Sequence, residues 1–339
     1  MRPLVIGSGR CAPDAARERR PAAHAYTRAA VRPSSVARAG ASVLLAAGVA
    51  APLARRVLPL RAPTVLGMAA SAPLCLRVLA PPSRARDAGV VILQMWAYLA
   101  AYEMPNDDPA ALERRVRVAY PVRMDRLLGF GTTPTVRLQR RFGRPGRLSR
   151  IEKGLVWSHW LWFAFPHGTA LYILLRDRDS FAHAAGLIYG TFDVGVLGYW
   201  ALPTAPPWYA AQRGLFDDDG PPPRRMMVEY GERFWRSRWE RMYGSLAGNP
   251  LAAMPSLHFA TSVSAAHALS GQGPVPATIG WAYAATLGTA LVYLGEHYVV
   301  DLLAGLALAE GVRAAAPAAA RAAAPLTDLL HDIEAALRP

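Results

Sequence analysis

The sequence has 339 residues, of which 53% are hydrophobic and 18% are charged, and this composition is too apolar for an ordinary soluble domain of that length. The formal net charge is +14, but the arginines are spread over tails and loops, and no nucleic-acid-binding motif accompanies them. The composition therefore indicates an integral membrane protein and argues against a nucleic-acid partner. The two cysteines, Cys11 and Cys75, have no spacing typical of a disulfide framework or a zinc site.

Two regions precede the apolar core. Residues 1–38 are rich in arginine, proline and small residues and have no apolar periodicity, which predicts a disordered basic tail. Residues 39–87 contain two weaker apolar stretches, at about 41–54 and 64–80, and proline interrupts each of them. A short transmembrane hairpin and a position in the membrane interface both fit these stretches.

Residues 88–315 form the predicted core, because they contain six apolar stretches that are nearly free of charge. About 20 such residues cross the hydrocarbon part of a bilayer. The stretches cover residues 88–103, 153–175, 181–202, 257–270, 276–294 and 297–315. The pattern predicts an all-α integral membrane protein whose core is a six-helix transmembrane bundle, with the N-terminal apolar segments as additions.

Polar segments link and follow these spans. Loops 104–152 and 203–255 carry apolar and aromatic residues among their charges, which predicts interfacial helices on the membrane surface. Residues 316–339 follow the core as a tail that ends in a short amphipathic helix at 326–337.

Counting the spans places both long loops and the turn at 295–297 on the same side of the membrane. Arginines are abundant on both sides, so the positive-inside rule gives conflicting answers for the orientation. We expect a bacterial plasma membrane, with this side facing away from the cytoplasm.

Two short motifs put ionisable residues at this same membrane edge. His297 and Asp301 are four residues apart, so on a helix they share a face and the carboxylate can orient the imidazole. An oriented neutral imidazole is a nucleophile toward phosphorus, and His258 is a candidate to protonate the leaving oxygen. Ser256 can cap the helix that follows it, and the first-turn amides of that helix would face an anion. The set predicts phosphoryl transfer at one membrane face.

Other interpretations of these residues stay open. His258, His297 and Asp301 are also ligands that zinc or iron accepts, and the bundle can be read as a carrier. A further acid at ligand spacing would favour a metal site, and an internal repeat would favour a carrier. The sequence contains neither. Asp193, within the third span, is either functional or a hydrogen-bonded structural partner. His159 either approaches the site or anchors a belt of tryptophans at the interface.

Four stretches resemble a known family. Pro255-Ser256-Leu257-His258 and His297-Tyr298-Val299-Val300-Asp301 resemble the second and third signature motifs of the type 2 phosphatidic acid phosphatase superfamily. Within it, Pro203-Thr204-Ala205-Pro206-Pro207-Trp208 and Asn249-Pro250-Leu251-Ala252-Ala253-Met254 resemble the branch that contains inositol phosphorylceramide synthases. The resemblance covers roughly residues 88–315.

The resemblance implies a six-helix membrane bundle in which His297 attacks phosphorus to give a phosphohistidine. Asp301 would orient His297, His258 would be the general acid, and Ser256 would help to hold the phosphate. No metal or other cofactor is required in that family. The further substrate-binding residues that it suggests are Pro206, Pro207, Trp208 and Tyr298.

The sequence departs from the family pattern where phosphate-binding cations are expected. The first motif, a lysine followed after six residues by Arg-Pro, is absent, and the Ser-Arg of the third motif is replaced by Ala290-Leu291. Guanidinium groups on the same side can supply the missing bidentate contacts. The candidates are Arg137 and Arg140, together with Arg141, Arg123 and Arg126 of the same loop.

The resulting hypothesis is a membrane lipid phosphotransferase that moves a phosphoryl or phosphoinositol-type head group to an alcohol such as inositol or a lipid alcohol. Loop 203–255 is bulkier than phosphate hydrolysis requires and would keep water from the phosphohistidine. The alternative is a lipid-phosphate phosphatase, acting on phosphatidic acid, a prenyl phosphate or a similar lipid, in which water takes the place of the acceptor.

Overall fold

The computed structural model describes residues 35–144, 146–216, 221–246 and 248–337. Residues 1–34 of the predicted basic tail lie outside this part, and residues 35–38 belong to the first helix. Within the described part the chain is α-helical and has no β-strand, since its extended segments meet only at isolated bridges. The all-α prediction is confirmed.

The described residues form a succession of long and short α-helices. They are α1 (Ser35–Ala54), α2 (Ala62–Leu79), α3 (Arg84–Glu103), α4 (Pro109–Arg115), α5 (Ala119–Leu128), α6 (Pro134–Phe142), α7 (Arg150–Leu161), α8 (Phe165–Arg176), α9 (Arg178–Ala201), α10 (Pro207–Gln212), α11 (Met226–Trp235), α12 (Trp239–Leu246), α13 (Leu257–Ser270), α14 (Pro274–Tyr293) and α15 (Val299–Leu337). Ser83, Asp177 and Ser256 accept backbone N–H bonds at the starts of α3, α9 and α13, as expected of N-cap residues.

Three described helices are long and apolar enough to cross a membrane, namely Val36–Ala54 in α1, α2 and α14. The first two lie side by side, and a Cβ at Gly48 would overlap the backbone of Met68. The other predicted core spans are present as helices, but these helices are shorter or contain charged residues. Helix α9, for example, contains Asp179 and Asp193. The structure therefore identifies three helices that could cross a membrane, and the six-helix bundle stays a prediction.

The predicted second span, 153–175, is two helices rather than one. Helix α7 ends at Leu161, and α8 begins at Phe165 with Pro166 in its first turn, where a missing backbone N–H costs nothing. Trp162 lies in the break and donates its indole N–H to the hydroxyl of Thr261 at 2.9 Å. The break therefore holds the end of α7 against α13.

The predicted separate tail helix at 326–337 is also different, because it is the end of α15. That helix is rich in alanine, the strongest helix former, and continues through Pro317 and Pro325 to Leu337. Its end returns to the N-terminal helices, where Glu334 accepts a bond from the guanidinium of Arg86 at 2.5 Å.

Helix α13 lies at the centre of the main apolar cluster, between α9 and α15. Its first residues approach both neighbours closely. A Cβ at Gly195 would overlap the side chain of Leu257, and a Cβ at Gly305 would lie 2.7 Å from the carbonyl oxygen of Ser256. Small residues thus let α9 and α15 approach the start of α13.

Candidate active site

The turn that carries His297 is built around Gly295. Helix α14 ends two residues earlier, and Gly295 has φ of +82°, a left-handed conformation that suits glycine. The N–H groups of Glu296 and His297 both donate to the carbonyl of Leu291 at 3.1 Å. A Cβ at residue 295 would lie 2.5 Å from the carbonyl oxygen of Arg224. Only glycine fits, and the turn delivers His297 to the start of α15.

His297 and Asp301 are joined at the N-terminus of α15. Nδ1 of His297 lies 3.2 Å from Oδ2 of Asp301, and the same oxygen accepts the N–H of Tyr298 at 3.0 Å. The Asp301 side chain is fully buried. A proton on Nδ1 then faces the carboxylate, and Nε2 keeps the lone pair that a nucleophile needs.

His258 lies in the first turn of α13, which begins beside α15. Ser256 accepts the N–H of Phe259 at 3.4 Å and donates its own N–H to the carbonyl of Asp301 at 3.0 Å. Nδ1 of His258 is 3.4 Å from Nε2 of His297. Two helix N-termini thus bring the predicted His258, His297 and Asp301 into one chain of contacts.

A third imidazole, that of His159, lies against His258. The ring centroids of the two histidines are 4.9 Å apart, and the ring centroid of Trp162, in the break between α7 and α8, lies 4.0 Å from that of His258. His159 is only 5% exposed, and neither of its ring nitrogens has a hydrogen-bond partner among the described residues. The sequence left two interpretations of His159 open. The structure supports the one in which His159 approaches the site, because its ring lies against His258.

Asp125 fixes the start of α15 and was missed in the sequence. Its carboxylate accepts the N–H of Val299 at 3.0 Å and that of Val300 at 2.9 Å, so it caps α15 from α5, across the chain. Burial raises the pKa of Asp125 to about 6, against the lowering effect of the two amides. The signal was its position three residues after Val122 on the buried face of α5.

Gln139 joins the loops around the same turn. Its side-chain N–H group donates to the carbonyls of Tyr293 and Arg224 at 2.8 and 2.9 Å, and its side-chain oxygen accepts the N–H of Arg224 at 2.7 Å. Sequence reasoning singled out the arginines on either side of Gln139. In the structure this amide binds the backbone beside the turn that carries His297.

The half-buried guanidinium of Arg225 lies next to this turn. Its Nε is 3.1 Å from Oε1 of Glu296, the residue before His297, and its Nη2 donates to the hydroxyl of Tyr243 at 2.5 Å. The guanidinium also lies 4.3 Å from the ring centroid of Trp208, within the range of a cation–π contact. The predicted substrate-binding Trp208 is therefore linked to the site through Arg225.

The two stretches that resemble the inositol phosphorylceramide synthase branch lie side by side. The N–H of Thr204 donates to the carbonyl of Leu251 at 3.1 Å, and the N–H of Ala253 donates to the carbonyl of Thr204 at 3.0 Å. Pro206 and Pro207 are buried at the start of α10, and Trp208 is half-buried. These prolines shape the backbone that presents Trp208 to Arg225.

Tyr298, which the resemblance suggests as a substrate-binding residue, is buried inside the protein. Its ring is fully buried with Val122, Val136 and Phe216. Its hydroxyl has no hydrogen-bond partner in the part of the chain that the structure describes.

The predicted arginines are not brought to the histidines. Arg137 is exposed and donates to the carbonyl of Gly129, and the side chains of Arg140, Arg141 and Arg123 are exposed. Arg126 donates to the carbonyl of Leu215 at 3.0 Å. No contact described for Arg137 or Arg140 reaches His258, His297 or Asp301.

Two other sequence interpretations concern side chains that the structure places. Asp193 accepts a hydrogen bond from Gln94 at 2.5 Å, which is the structural partner that one reading of this residue required. Among the described residues, no three His, Cys, Asp or Glu side chains are arranged to hold a metal ion.

Comparison with known proteins finds two relatives and a matching family. The chain is 31% identical over 163 residues to the phosphoinositol dihydroceramide synthase of Bacteroides thetaiotaomicron, covering 47% of this chain and 52% of that protein. It is 29% identical over 155 residues to the inositol phosphorylceramide synthase of Candida albicans, covering 43% of this chain and 31% of that protein. The chain thus spans about half or less of the length of these relatives, and no solved structure matches it. The sequence model of the PAP2 superfamily matches residues 122–315, which is more than half of the chain and includes every residue of the contact chain, so the protein belongs to the PAP2 superfamily.

Proposed function

We propose that the protein is a membrane lipid phosphotransferase that moves a phosphoryl or phosphoinositol-type head group through a phosphohistidine on His297. The observation that carries this proposal is the contact chain in which Asp301 is 3.2 Å from His297, and His297 is 3.4 Å from His258. Such a chain supplies an oriented nucleophile and a proton donor within reach of one phosphorus atom.

In the first half-reaction, Nε2 of His297 forms a bond to the phosphorus of the donor lipid. The bond from phosphorus to the lipid oxygen breaks, and His258 gives a proton to that oxygen, so that a neutral lipid alcohol leaves. In the second half-reaction, the acceptor hydroxyl gives its proton to His258, and its oxygen displaces His297 from phosphorus. Both histidines return to their starting protonation states.

Arg225 is our candidate for the cation that the family's first motif would supply. It is half-buried and is already held by the carboxylate of Glu296, the residue before His297, and a guanidinium that binds a carboxylate can also bind a phosphate oxygen pair. The exposed Arg137 and Arg140 stay as alternative candidates. Ser256 supports the phosphate through the capped N-terminus of α13.

The names of the two relatives, with the stretches at 203–208 and 249–254, support a phosphoinositol lipid as donor and a ceramide-type lipid alcohol as acceptor. Free inositol is the other acceptor that fits the same chemistry. The competing function is lipid-phosphate phosphatase activity, in which water attacks the phosphohistidine.

The test uses purified protein in vesicles that contain a phosphoinositol glycerolipid labelled in its head group, with or without ceramide. We expect a labelled phosphodiester of ceramide, and none with the His297→Gln variant. Parallel vesicles hold phosphatidic acid with labelled inositol. If label appears only as released phosphate or inositol phosphate, at rates that no added alcohol changes, the protein is a phosphatase instead.

We also place the protein in a bacterial plasma membrane with the site facing away from the cytoplasm. Arg123 of α5 is exposed, and the predicted order of spans puts it on this side, so it offers a labelling position. In a variant with serine at both native cysteines and Arg123→Cys, an impermeant thiol reagent should label intact spheroplasts. Labelling only after lysis would reverse the orientation.

A further inference from the structure

The strongest unexplained feature of the site is the unpaired imidazole of His159. Its side chain is buried at 5% exposure, and both ring nitrogens lack a hydrogen-bond partner among the described residues. Buried polar atoms are nearly always paired, because leaving them unpaired costs stability. Two such atoms on one ring point to a group that binds there during the reaction.

The position of the ring shows which part of the reaction it can reach. His159 contacts His258 at 4.9 Å between centroids, and His258 in turn contacts His297. His159 is therefore next to the residue that exchanges protons with the two alcohols, and it is separated from Asp301 by the other two imidazoles.

The chemistry of an imidazole matches a hydroxyl group better than a phosphate. A neutral imidazole offers one N–H donor and one acceptor nitrogen, and a hydroxyl also donates once and accepts. Phosphate oxygens at neutral pH only accept, and the guanidinium of Arg225 and the amides of α13 are donors suited to them. Hydrolysis needs no further imidazole, since water requires only His258.

We propose that His159 binds the hydroxyl group of the acceptor alcohol and holds it beside His258 for attack on the phosphohistidine. This inference rests on the proposed function, because only a transferase needs to hold an alcohol acceptor. His159 is then the residue that favours transfer over hydrolysis at a site that both reactions share.

The test compares His159→Phe and His159→Gln with a matched control. Phenylalanine keeps a planar ring against His258 and Trp162 but has no nitrogen, whereas glutamine keeps a donor and an acceptor. The control is His167→Phe in α8, where the native ring already has a partner in the Tyr189 hydroxyl at 3.3 Å. Thermal unfolding in detergent establishes that each variant is folded.

Two rates are measured in vesicles with a labelled phosphoinositol lipid. The first is release of the neutral lipid in a single turnover without ceramide, and the second is phosphodiester formation over a range of ceramide concentrations. For His159→Phe we expect the first rate to be unchanged and the second to fall about 10- to 100-fold, the cost of a lost hydrogen bond to a buried group. The apparent KM for ceramide should rise, the fraction of label lost to water should increase, and His159→Gln should recover part of the transfer.

Each outcome has one meaning. If His159→Phe transfers to ceramide like the wild type, or if both rates fall together, His159 does not hold the acceptor. If His159→Phe does not fold, His159→Leu takes its place, since leucine also lacks both nitrogens, and an unchanged KM with an unchanged ratio of transfer to hydrolysis in that variant overturns the inference. If the wild type forms no phosphodiester with any alcohol, the proposed transferase function itself fails, and the inference fails with it.

Discussion

At the scale of single residues, the site is a row of imidazoles that ends in a buried carboxylate. Asp301 accepts from two groups through one oxygen, so its orientation is fixed before any substrate binds. Within the described part of the chain, the His258 ring has its hydrogen-bond contact with the imidazole of His297 rather than with a carboxylate. This asymmetry supports His297 as the nucleophile and His258 as the proton carrier.

Removing His258 should therefore trap the covalent intermediate. Because His258 serves both half-reactions, with His258→Asn we expect overall turnover to fall about 100- to 10,000-fold. The label that does reach the protein should stay on His297 as an acid-labile phosphohistidine, since the acceptor hydroxyl has lost its base. Peptide mapping of the labelled protein locates the phosphate. The exposed His183 of α9 gives the control, since His183→Asn should turn over normally. Full turnover by His297→Ala would refute the mechanism.

Asp125 gives a pH-dependent prediction. Because burial raises its pKa from 3.8 to about 6, the folded protein holds this proton more tightly than the unfolded chain. The resulting stability is present below about pH 4 and is lost as the pH rises through about 6. The total is at most about 3 kcal/mol, since each unit between the two pKa values is worth about 1.4 kcal/mol.

The measurement is the difference in thermal unfolding between the wild type and Asp125→Asn from pH 4 to pH 8. The stability of the wild type relative to Asp125→Asn should fall between pH 4 and pH 6 and should stay constant above pH 6. A difference that does not change with pH would mean that Asp125 has an ordinary pKa. At pH 7.5, Asp125→Asn should also lower turnover, because asparagine accepts through only one oxygen and leaves one amide of α15 unpaired.

At the scale of helices, the catalytic geometry depends on how closely α15 approaches the start of α13. A Cβ at Gly305 would lie 2.7 Å from the carbonyl oxygen of Ser256, whereas a Cβ at Gly311 on the same helix would meet nothing within 4 Å. The two glycines therefore form a matched pair with opposite expectations. One sits at the contact that joins the catalytic helices, and the other faces open space.

Gly305→Ala should push α15 away from α13 and move Asp301 relative to His258. We expect a loss of roughly 1–3 kcal/mol of stability from overpacking and a marked loss of activity. Gly311→Ala should leave activity unchanged and raise stability by up to about 1 kcal/mol through helix propensity. Both are measured by thermal unfolding and transfer rate in detergent. Equal behaviour of the two variants would show that the close contact does not position the site.

How much of this arrangement the sequence predicts depends on the distance along the chain over which each contact acts. His297 and Asp301 are found from a four-residue spacing, and Ser256 from its position before a helix. Asp125 is not found, because its partners Val299 and Val300 lie 174 and 175 residues away. A long-range cap of this kind leaves only a weak local sign, here the position of Asp125 on the buried face of α5, and that sign does not reveal the partners. The break at Trp162 was hidden because its flanks are as apolar as a continuous span.

At the scale of the whole molecule, α15 connects the active site to the N-terminal helices. It begins at the catalytic turn and runs to Leu337, where Glu334 meets Arg86 in a contact that leaves both side chains at most 10% exposed. The helices that the sequence separated into a core and a tail are thus one element. Its two ends are held by unrelated contacts, Asp125 at the start and Arg86 at the end.

Breaking the distal contact should affect stability and spare catalysis. Glu334→Ala leaves the Arg86 guanidinium with only the more distant carboxylate of Asp87, at 3.8 Å, and we expect a loss of up to about 3 kcal/mol. The transfer rate at low temperature should stay at the wild-type value, because the catalytic turn is untouched. Asp328→Ala, at an exposed position of the same helix, is the control and should change neither quantity. A selective loss of turnover in Glu334→Ala would instead indicate that the far end of α15 controls the site.

The Arg225–Glu296 pair means that the site already contains an anion of its own. Any phosphate that binds Arg225 must displace a carboxylate that is tethered next to it, at an effective concentration of the order of millimolar or higher. A small anion with no other contacts competes poorly under these terms, whereas a lipid phosphate is also held by its chains and head group. The protein should consequently resist inhibition by free inorganic phosphate, and Glu296→Gln should make it sensitive. Competition from Glu296 therefore favours a large lipid substrate over a small anion, although it adds no contact to that substrate.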